Sequence, residues 1–275
     1  MALGWLMPLS FFPIASDAYG KFRPVAIRAI AVLIVVVSGA NWIIGLTNGR
    51  SHFEPFGPWP DLLLWAGSRP NPSLMGAEGE FHWYQLLTNT FLHANLMHLG
   101  GNLVFLLVFG ERINAILGQW RTAVIYLFLA VAASLVFLVS RSGQPMIPAL
   151  GASGAIMGLA GMYFILLPAS RVHMVAWLHL GFATGFRALR KYFVVRGFAV
   201  LLFYIAFDVI ATLFNWRDGT AHWAHLGGFI CGAILALVLL LTRKVNMRGA
   251  DIISVLLGKR AWKLLGTPAN NAEAS

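Results

Sequence analysis

Residues 149–158 read ALGASGAIMG and place a single hydroxyl group, on Ser153, among small side chains. They open an apolar run that continues to Leu167. Such a segment predicts a helix whose first turns another helix backbone can approach closely. A serine at that position is either the N-cap of the helix or a nucleophile, and the rest of the chain has to distinguish between these two roles.

The composition is that of an integral membrane protein. Hydrophobic residues make up 59% of the 275 residues and charged residues 11%, with a mean hydropathy of +0.74. Soluble domains carry roughly 25% charged residues. The single cysteine, Cys231, excludes a disulfide within the chain. Because no basic residue precedes Lys21, we do not expect the apolar N-terminal segment to be a cleaved signal peptide.

Six apolar stretches reach or approach the roughly 20 residues that a membrane-spanning helix needs. A long loop rich in Pro, Gly and aromatic residues, 47–89, separates the first two. Residues 169–191 mix basic and aromatic side chains and predict an interfacial helix or a re-entrant segment. The predicted fold is an all-α membrane protein, a six-helix bundle whose short fourth helix starts at the candidate nucleophile. The predicted spans are 25–46, 91–107, 122–140, 150–167, 192–216 and 222–241.

The basic residues predict the orientation of this bundle. With both termini on one side, that side holds all but four of the 20 Lys and Arg residues, as the positive-inside rule requires. We therefore expect cytoplasmic termini and a bacterial inner membrane, since no organelle-type presequence is evident. The net charge of +10 then reflects orientation and contact with anionic lipid, and not binding of nucleic acid. The four exceptions are Arg50, Arg69, Arg141 and Arg217.

These predictions divide the chain into three regions. An N-terminal cytoplasmic segment covers residues 1–24, and the six-helix membrane domain covers residues 25–242. A basic cytoplasmic tail follows at 243–275, with a polar end that predicts disorder.

Three polar side chains lie near the outer ends of alternate spans. Ser153 begins the fourth span, while His98 and His225 lie early in the second and sixth. Since these three spans run in the same direction, we expect the three side chains at one depth. A histidine can take the proton of a serine nucleophile, and a helix N-terminus offers free N–H groups to an oxyanion. The alternative is a capping serine and an interfacial histidine.

Glycine pairs on the fourth and sixth spans strengthen the functional interpretation. Gly154 and Gly158 share one helix face, and Gly228 and Gly232 share another. Small residues spaced in this way let two helix backbones approach closely. Such packing would bring the outer ends of the two spans together, although helix packing without any chemistry would give the same pattern.

Polar residues of the second span have two possible roles. His98 and Asn102 share one helix face and could donate hydrogen bonds to an oxyanion. They could instead tie the span to a loop, which is the role we prefer for His93 and Asn95.

Other chemistries find less support in the sequence. It contains no HExxH zinc motif and no GxxxxGK[ST] phosphate-binding loop. His222 and His225 could bind a metal, but no third ligand at the same depth is evident apart from His98. We therefore expect neither a metal nor a cofactor. Asp208 is predicted to be structural, or to pair with an arginine on the outer side, in preference to being the third member of a triad.

Three short motifs occur in order on spans two, four and six. Together with FGERINAILGQWR after span two, they make residues 81–242 resemble the rhomboid intramembrane serine proteases. Each motif is short, but the ordered set at matching span positions is specific. The motif residues are His98 and Asn102 (H-x-x-x-N), Gly151, Ser153 and Gly154 (G-x-S-G), and Ala224, His225 and Gly228 (A-H-x-x-G).

The resemblance implies a catalytic dyad in which Ser153 is the nucleophile and His225 the general base. It also implies an oxyanion site formed by His98, Asn102 and the backbone amide of Ser153. The substrates would be transmembrane proteins, cleaved near the outer end of a membrane segment through an acyl-enzyme, with the lipid bilayer as the other partner. Small residues are expected to support the packing of this site, namely Gly151, Gly154, Gly158, Ala224, Gly228 and Gly232.

The sequence departs from the family pattern at two places. Trp83-Tyr84-Gln85 stands where the family often has a Trp-Arg pair, and Met157 stands where some members have a tyrosine packed on the histidine. We expect these departures to affect the stability of the loop and the packing around the histidine, and not the dyad itself. A non-catalytic relative that binds or escorts membrane clients is the alternative. A transporter with a proton relay is disfavoured, because inverted repeats and proline-broken spans are missing.

Overall fold

The computed structural model describes residues 9–18, 20–47, 83–141, 149–179, 188–216 and 220–266. Most of the predicted loop 47–89 and the end of the predicted tail lie outside these residues. Helices dominate the described part of the chain. They are α1 (Val25–Thr47), α2 (Gln85–Thr88), α3 (Leu96–Phe105), α4 (Glu111–Leu117), α5 (Gln119–Ser140), α6 (Ser153–Leu166), α7 (Gly197–Leu213), α8 (His222–Leu241), α9 (Ile252–Leu257) and α10 (Trp262–Leu265).

Short irregular helices connect some of these elements. A 3₁₀ turn at Asn89–Phe91 follows α2, and another at Gly258–Ala261 joins α9 to α10. A π-helical segment, Leu106–Gly110, joins α3 to α4, so that the three pieces form one helix over Leu96–Leu117.

Four helices in the described part of the chain are long and apolar enough to cross a membrane. Two shorter apolar helices, α6 and α7, lie among them. At 1.5 Å per residue, the 14 residues of α6 span about 21 Å, less than the ~30 Å hydrocarbon core. Every residue of α6 except Phe164 is buried, so its neighbours shield it from lipid. The prediction of a helical membrane bundle is confirmed at this level. The four long segments are Val25–Ile43, Leu96–Leu117, Gln119–Ser140 and His222–Leu241.

The all-α prediction is wrong in one respect, because the structure contains a three-stranded antiparallel sheet. Its strands, in spatial order, are β1 (Leu9–Ser16), β2 (Arg171–His179) and β3 (Ala188–Arg196). Where the structure describes it, the segment predicted as an interfacial helix is strand over 171–179 and 188–191, and the fifth apolar helix begins at Gly197 and not at residue 192.

Side-chain alternation explains the second strand. Arg171 and His173 are exposed, whereas Val172 and Met174 are buried. This period of two is the pattern of a half-buried strand.

The sheet covers the end of α6 that lies farthest from Ser153. The hydroxyl groups of Ser16 in β1 and Tyr163 in α6 are 2.7 Å apart. Just after β1, the carboxylate of Asp17 accepts a hydrogen bond from the backbone N–H of Arg171 at 2.7 Å. These contacts hold the sheet against the C-terminal end of α6.

The turn between α4 and α5 holds the start of α1. Gly118 adopts a φ of +81°, a conformation that favours glycine, and lets the two helices reverse direction. Asn114 and Gln119, on either side of this turn, accept the backbone N–H groups of Ile27 and Ala26 at 3.1 and 2.8 Å. Side chains of the turn thereby satisfy N–H groups that the first turn of a helix leaves unpaired.

The central contact of the bundle is backbone against backbone. A Cβ atom on Gly228 would collide with the carbonyl oxygen of Gly154, and one on Gly232 would collide with that of Gly158. The nearest atoms are those of the α6 backbone, which cannot move away as the end of a flexible side chain could. The glycine spacing therefore sets the distance between α6 and α8.

We expect Gly232→Ala to destabilise the protein, because the added methyl group meets the backbone of α6. Overpacking of this kind costs about 1–3 kcal/mol. Thermal unfolding in detergent would register it as a lower melting temperature.

The matched control for this substitution is Gly39→Ala in α1, where an added Cβ meets no atom of the described residues within 4 Å. Because alanine favours a helix over glycine, that variant should melt at or above the wild-type temperature. Equal melting of the two variants would contradict the close contact between α6 and α8.

Candidate active site

Ser153 and His225 meet at the ends of the two closely packed helices. Ser153 is the first residue of α6, and its Oγ lies 2.8 Å from Nε2 of His225 near the start of α8. Both side chains are buried. The N-cap position belongs to Ala152, and the Ser153 hydroxyl bonds to the histidine and does not cap the helix.

Small residues make this meeting possible. A Cβ on Gly154 would lie 2.6 Å from the Cβ of Ala133 and 3.5 Å from the carbonyl oxygen of Ala224. Ala224 is the residue before His225, so α8 passes the first turn of α6 at near-backbone distance. A larger side chain at either position would push the histidine away from the serine.

Asp208, from α7, contacts the other ring nitrogen of His225. Its Oδ1 lies 2.7 Å from Nδ1 of His222, and both carboxylate oxygens lie 3.1 Å from Nδ1 of His225. All three side chains are at least nine-tenths buried. The sequence predicted a structural role or an arginine partner for Asp208, whereas the structure pairs it with two histidines.

By distance alone, the same three residues could hold a metal ion, since one ligand atom from each lies within 4.8 Å of the others. Asp208 is the third ligand that the sequence did not reveal beside His222 and His225. Each histidine already directs Nδ1 to the carboxylate, and Nε2 of His225 contacts Ser153. Hydrogen bonds therefore account for the arrangement.

His98 and Asn102 lie against the loop that precedes Ser153. Gly151 has a φ of +117°, and a Cβ there would be 2.8 Å from Cε1 of His98 and 3.9 Å from Nδ2 of Asn102. The Asn102 amide donates to the carbonyl of His98 at 2.9 Å. Its Oδ1 is buried and has no hydrogen-bond partner among the described residues. Glycine at 151 is thus required both by its backbone and by the histidine ring.

A buried network around His93 holds the same loop from the other side. The N–H of Ala152 donates to Nε2 of His93 at 3.4 Å, which leaves Nδ1 to donate to Oγ of Ser38 at 3.1 Å. Ser38 donates in turn to the carbonyl of Phe91 at 3.0 Å. His93 therefore ties the second span to a loop, as the sequence predicts.

Asn95, for which the sequence predicts a hydrogen bond to a loop, caps its own helix instead. It is the N-cap of α3, and its side chain accepts the backbone N–H of His98 at 2.8 Å. The histidine ring is thereby held at the start of the helix, where it packs 5.0 Å from the ring of His93.

A small cavity of about 30 Å³ lies beside the serine. A buried water needs roughly 10–15 Å³ of such space, so the cavity has room for about two. Polar lining groups include Ser153, Ser134 and Asn89, and the last two are joined by a hydrogen bond of 2.9 Å. Water could therefore reach the hydroxyl of Ser153 from this side.

Comparison with known proteins identifies the family. A sequence model of the Rhomboid domain matches residues 80–242. The chain belongs to the rhomboid family. RHOMBOID-like protein 6, mitochondrial, from Arabidopsis thaliana is 30% identical over 236 residues, which cover 79% of this chain and 67% of the relative.

Two other rhomboid relatives match over shorter lengths. Rhomboid-like protein 11, chloroplastic, from Arabidopsis thaliana is 42% identical over 79 residues, or 28% of this chain and 27% of the relative. The human Presenilin-associated rhomboid-like protein, mitochondrial, is 30% identical over 148 residues, or 54% of this chain and 35% of the relative. The match thus spans about a third or less of these two relatives.

The relatives overturn the predicted location. Their names assign them to mitochondria and chloroplasts, so the prediction of a bacterial inner membrane with cytoplasmic termini is wrong. Its only support was the absence of a recognisable presequence. The distribution of basic residues distinguishes one side of a membrane from the other, but it does not identify the membrane.

The structure describes both positions at which the sequence departs from the rhomboid pattern. Trp83 is largely exposed and packs edge-on against the ring of Tyr84, with ring centres 6.3 Å apart. Met157 is fully buried in the core. Polar contacts to the His225 ring come from Ser153 and Asp208.

Replacing Ser38 by alanine should destabilise the protein by about 1–3 kcal/mol, because the N–H of buried His93 loses its acceptor. A chemical or thermal unfolding curve in detergent would measure the loss. Ser140→Ala serves as the control, since that hydroxyl donates to the carbonyl of Phe137 one turn back in its own helix, at 2.7 Å. If both variants unfolded like the wild type, the network around His93 would not support this loop.

Proposed function

We propose that this rhomboid is an intramembrane serine endopeptidase that cleaves transmembrane segments of other membrane proteins. The observation that carries the proposal is the 2.8 Å contact between Oγ of Ser153 and Nε2 of His225. A hydroxyl group becomes an effective nucleophile when a base within hydrogen-bond distance takes its proton. The family match supports the same reaction class.

Acylation would proceed in two steps. Ser153 transfers its proton to Nε2 of His225 while Oγ bonds to the carbonyl carbon of the scissile peptide. The tetrahedral intermediate then collapses, the C–N bond breaks, and His225 gives the proton to the leaving amine. The product is an ester between Ser153 and the N-terminal part of the substrate.

Hydrolysis of that ester reverses the proton transfers. A water molecule gives a proton to His225 as its oxygen attacks the ester carbon, and Ser153 recovers the proton when the C–O bond breaks. The cavity beside Ser153 is large enough for this water.

An oxyanion site would stabilise both tetrahedral intermediates. Its donors are the backbone N–H of Ser153 at the start of α6, the Asn102 amide and the His98 ring, each near the loop at Gly151. Donors already fixed in a buried site stabilise developing charge without reorganising. The hydrogen bond from Asn102 to the carbonyl of His98 keeps the amide in place.

In the membrane, we propose that α6 and α7 complete a six-span bundle with the four long helices. Because the sheet contacts the end of α6 remote from Ser153, we place the sheet and its basic residues on one side of the membrane and Ser153 towards the other. The membrane helix of a substrate would therefore be cut near the end that lies on the same side of the membrane as Ser153, opposite the sheet. The compartments named for the relatives support an organellar membrane.

A non-catalytic, client-binding rhomboid is the competing proposal. It would retain the fold and the motifs but would not need a hydrogen-bonded Ser–His pair. Such a protein should hold its clients equally well when Ser153 or His225 is replaced, and its clients should stay uncut.

Ser153→Ala and His225→Ala should each abolish proteolysis, because one variant lacks the nucleophile and the other lacks the base. The assay is cleavage, in liposomes, of a single-span reporter whose membrane helix carries a glycine near one end, because glycine makes a helix easier to unwind. Thr242→Val, at the opposite end of α8 from His225, should cleave like the wild type. Cleavage retained by Ser153→Ala would refute the proposal.

A further inference from the structure

We propose that Asp208 is a positioning residue of this active site, and that His222 fixes Asp208 in place. Asp208 would hold His225 in the one tautomer that can accept the proton of Ser153. The proposal rests on the proposed function and adds Asp208 of α7, as a positioning residue, to the expected dyad of Ser153 in α6 and His225 in α8.

The argument starts from the hydrogen-bonding capacity of a carboxylate. An ionised carboxylate accepts hydrogen bonds and has none to donate. Nδ1 of His225 lies 3.1 Å from both oxygens of Asp208, so this nitrogen must carry the proton. In a neutral imidazole, Nε2 then has a free lone pair, and this lone pair faces Oγ of Ser153 at 2.8 Å. The carboxylate thus selects the tautomer that general-base catalysis requires.

His222 supplies a second donor to the same carboxylate. Its Nδ1 lies 2.7 Å from Oδ1 of Asp208, closer than Nδ1 of His225. His222 and His225 are three residues apart and therefore lie on the same face of α8. Two donors from one helix hold the carboxylate of another helix, which orients Asp208 and keeps it ionised in a buried site.

The same carboxylate would stabilise the charge that develops during catalysis. When His225 takes the proton of Ser153 it becomes a cation, and Asp208 lies directly beside it. Both side chains are buried, where opposite charges attract more strongly than in water. Two further titratable side chains lie near His225: His222, whose ring centre is 6.2 Å from that of His225, and His98 on α3, which interacts with it electrostatically.

The direct test is the tautomer of His225 in the wild-type protein. Nitrogen-15 NMR of histidine-labelled protein in detergent distinguishes a protonated from an unprotonated ring nitrogen, and comparison with His225→Ala assigns the signal. We expect Nδ1 of His225 to be protonated and Nε2 to be bare. A wild-type signal with Nε2 protonated would overturn the proposal without requiring any Asp208 variant to fold.

Asp208→Asn tests the consequence for catalysis. The amide would direct N–H to Nδ1 of His225 and favour the opposite tautomer, so the NMR signal should switch. With the reporter helix as substrate, kcat should fall by about 10²- to 10⁴-fold while KM stays near the wild-type value. His222→Ala should lower kcat by a smaller factor.

Thr212→Val is the matched control for these variants. Thr212 lies one turn after Asp208 on α7, and its hydroxyl has no hydrogen-bond partner in the described part of the chain. This variant should keep the wild-type kcat and the wild-type tautomer. A wild-type kcat in Asp208→Asn, or stoichiometric zinc bound by Asp208, His222 and His225 in active protein, would overturn the proposal.

Failure of this inference can be told apart from failure of the proposed function. If the wild type cleaves the reporter and Asp208→Asn cleaves it equally well, Asp208 has no positioning role and the Ser–His mechanism stands. If the wild type never cleaves, the proposed function fails, and the tautomer measurement still decides whether Asp208 sets the proton position.

Discussion

The contact between α6 and α8 is the constraint on which the site depends. Gly228 and Gly232 leave no room for a side chain against the carbonyl groups of Gly154 and Gly158. At that backbone distance, the first turn of α6 lies next to the first turns of α8. The 2.8 Å contact between Ser153 and His225 follows from this packing, because both residues lie at the same end of the pair. The remaining elements hold the two ends of α6. The sheet contacts its C-terminal end, and the His93 network and Gly151 hold the loop beside Ser153.

Much of this arrangement could be predicted from the sequence because its signals are local. The four-residue glycine spacing, the apolar runs and the polar residues at the ends of alternate spans each need only a short window of sequence. Counting spans then placed Ser153, His98 and His225 at one depth. The same count would have included Asp208, which lies five residues before the end of α7. Ionisable residues are rare in apolar spans and usually functional, which is a reason to count Asp208 among the candidate site residues.

The sheet could not be predicted by the same means, because its pairing is not local. In β1, Leu9 pairs with Leu178 across most of the chain, and an apolar stretch such as LSFFPIAS carries little alternation. The alternation of Arg171, Val172, His173 and Met174 was visible, but the basic and aromatic content of the segment suggested an interfacial helix instead. The partners of Asp208 could not be predicted either. A carboxylate in a span can pair with arginine or with histidine, and the helix packing decides which of them lies close to it.

The central claim is that Ser153 is a nucleophile activated by His225. The most direct measurement is mass spectrometry of the purified protein after reaction with a serine-directed fluorophosphonate, followed by mapping of the modified peptide. A covalent adduct on Ser153, absent when His225 is replaced by alanine, is the result that this structure predicts. Intact Ser153 after prolonged reaction, or equal modification with and without His225, would contradict it.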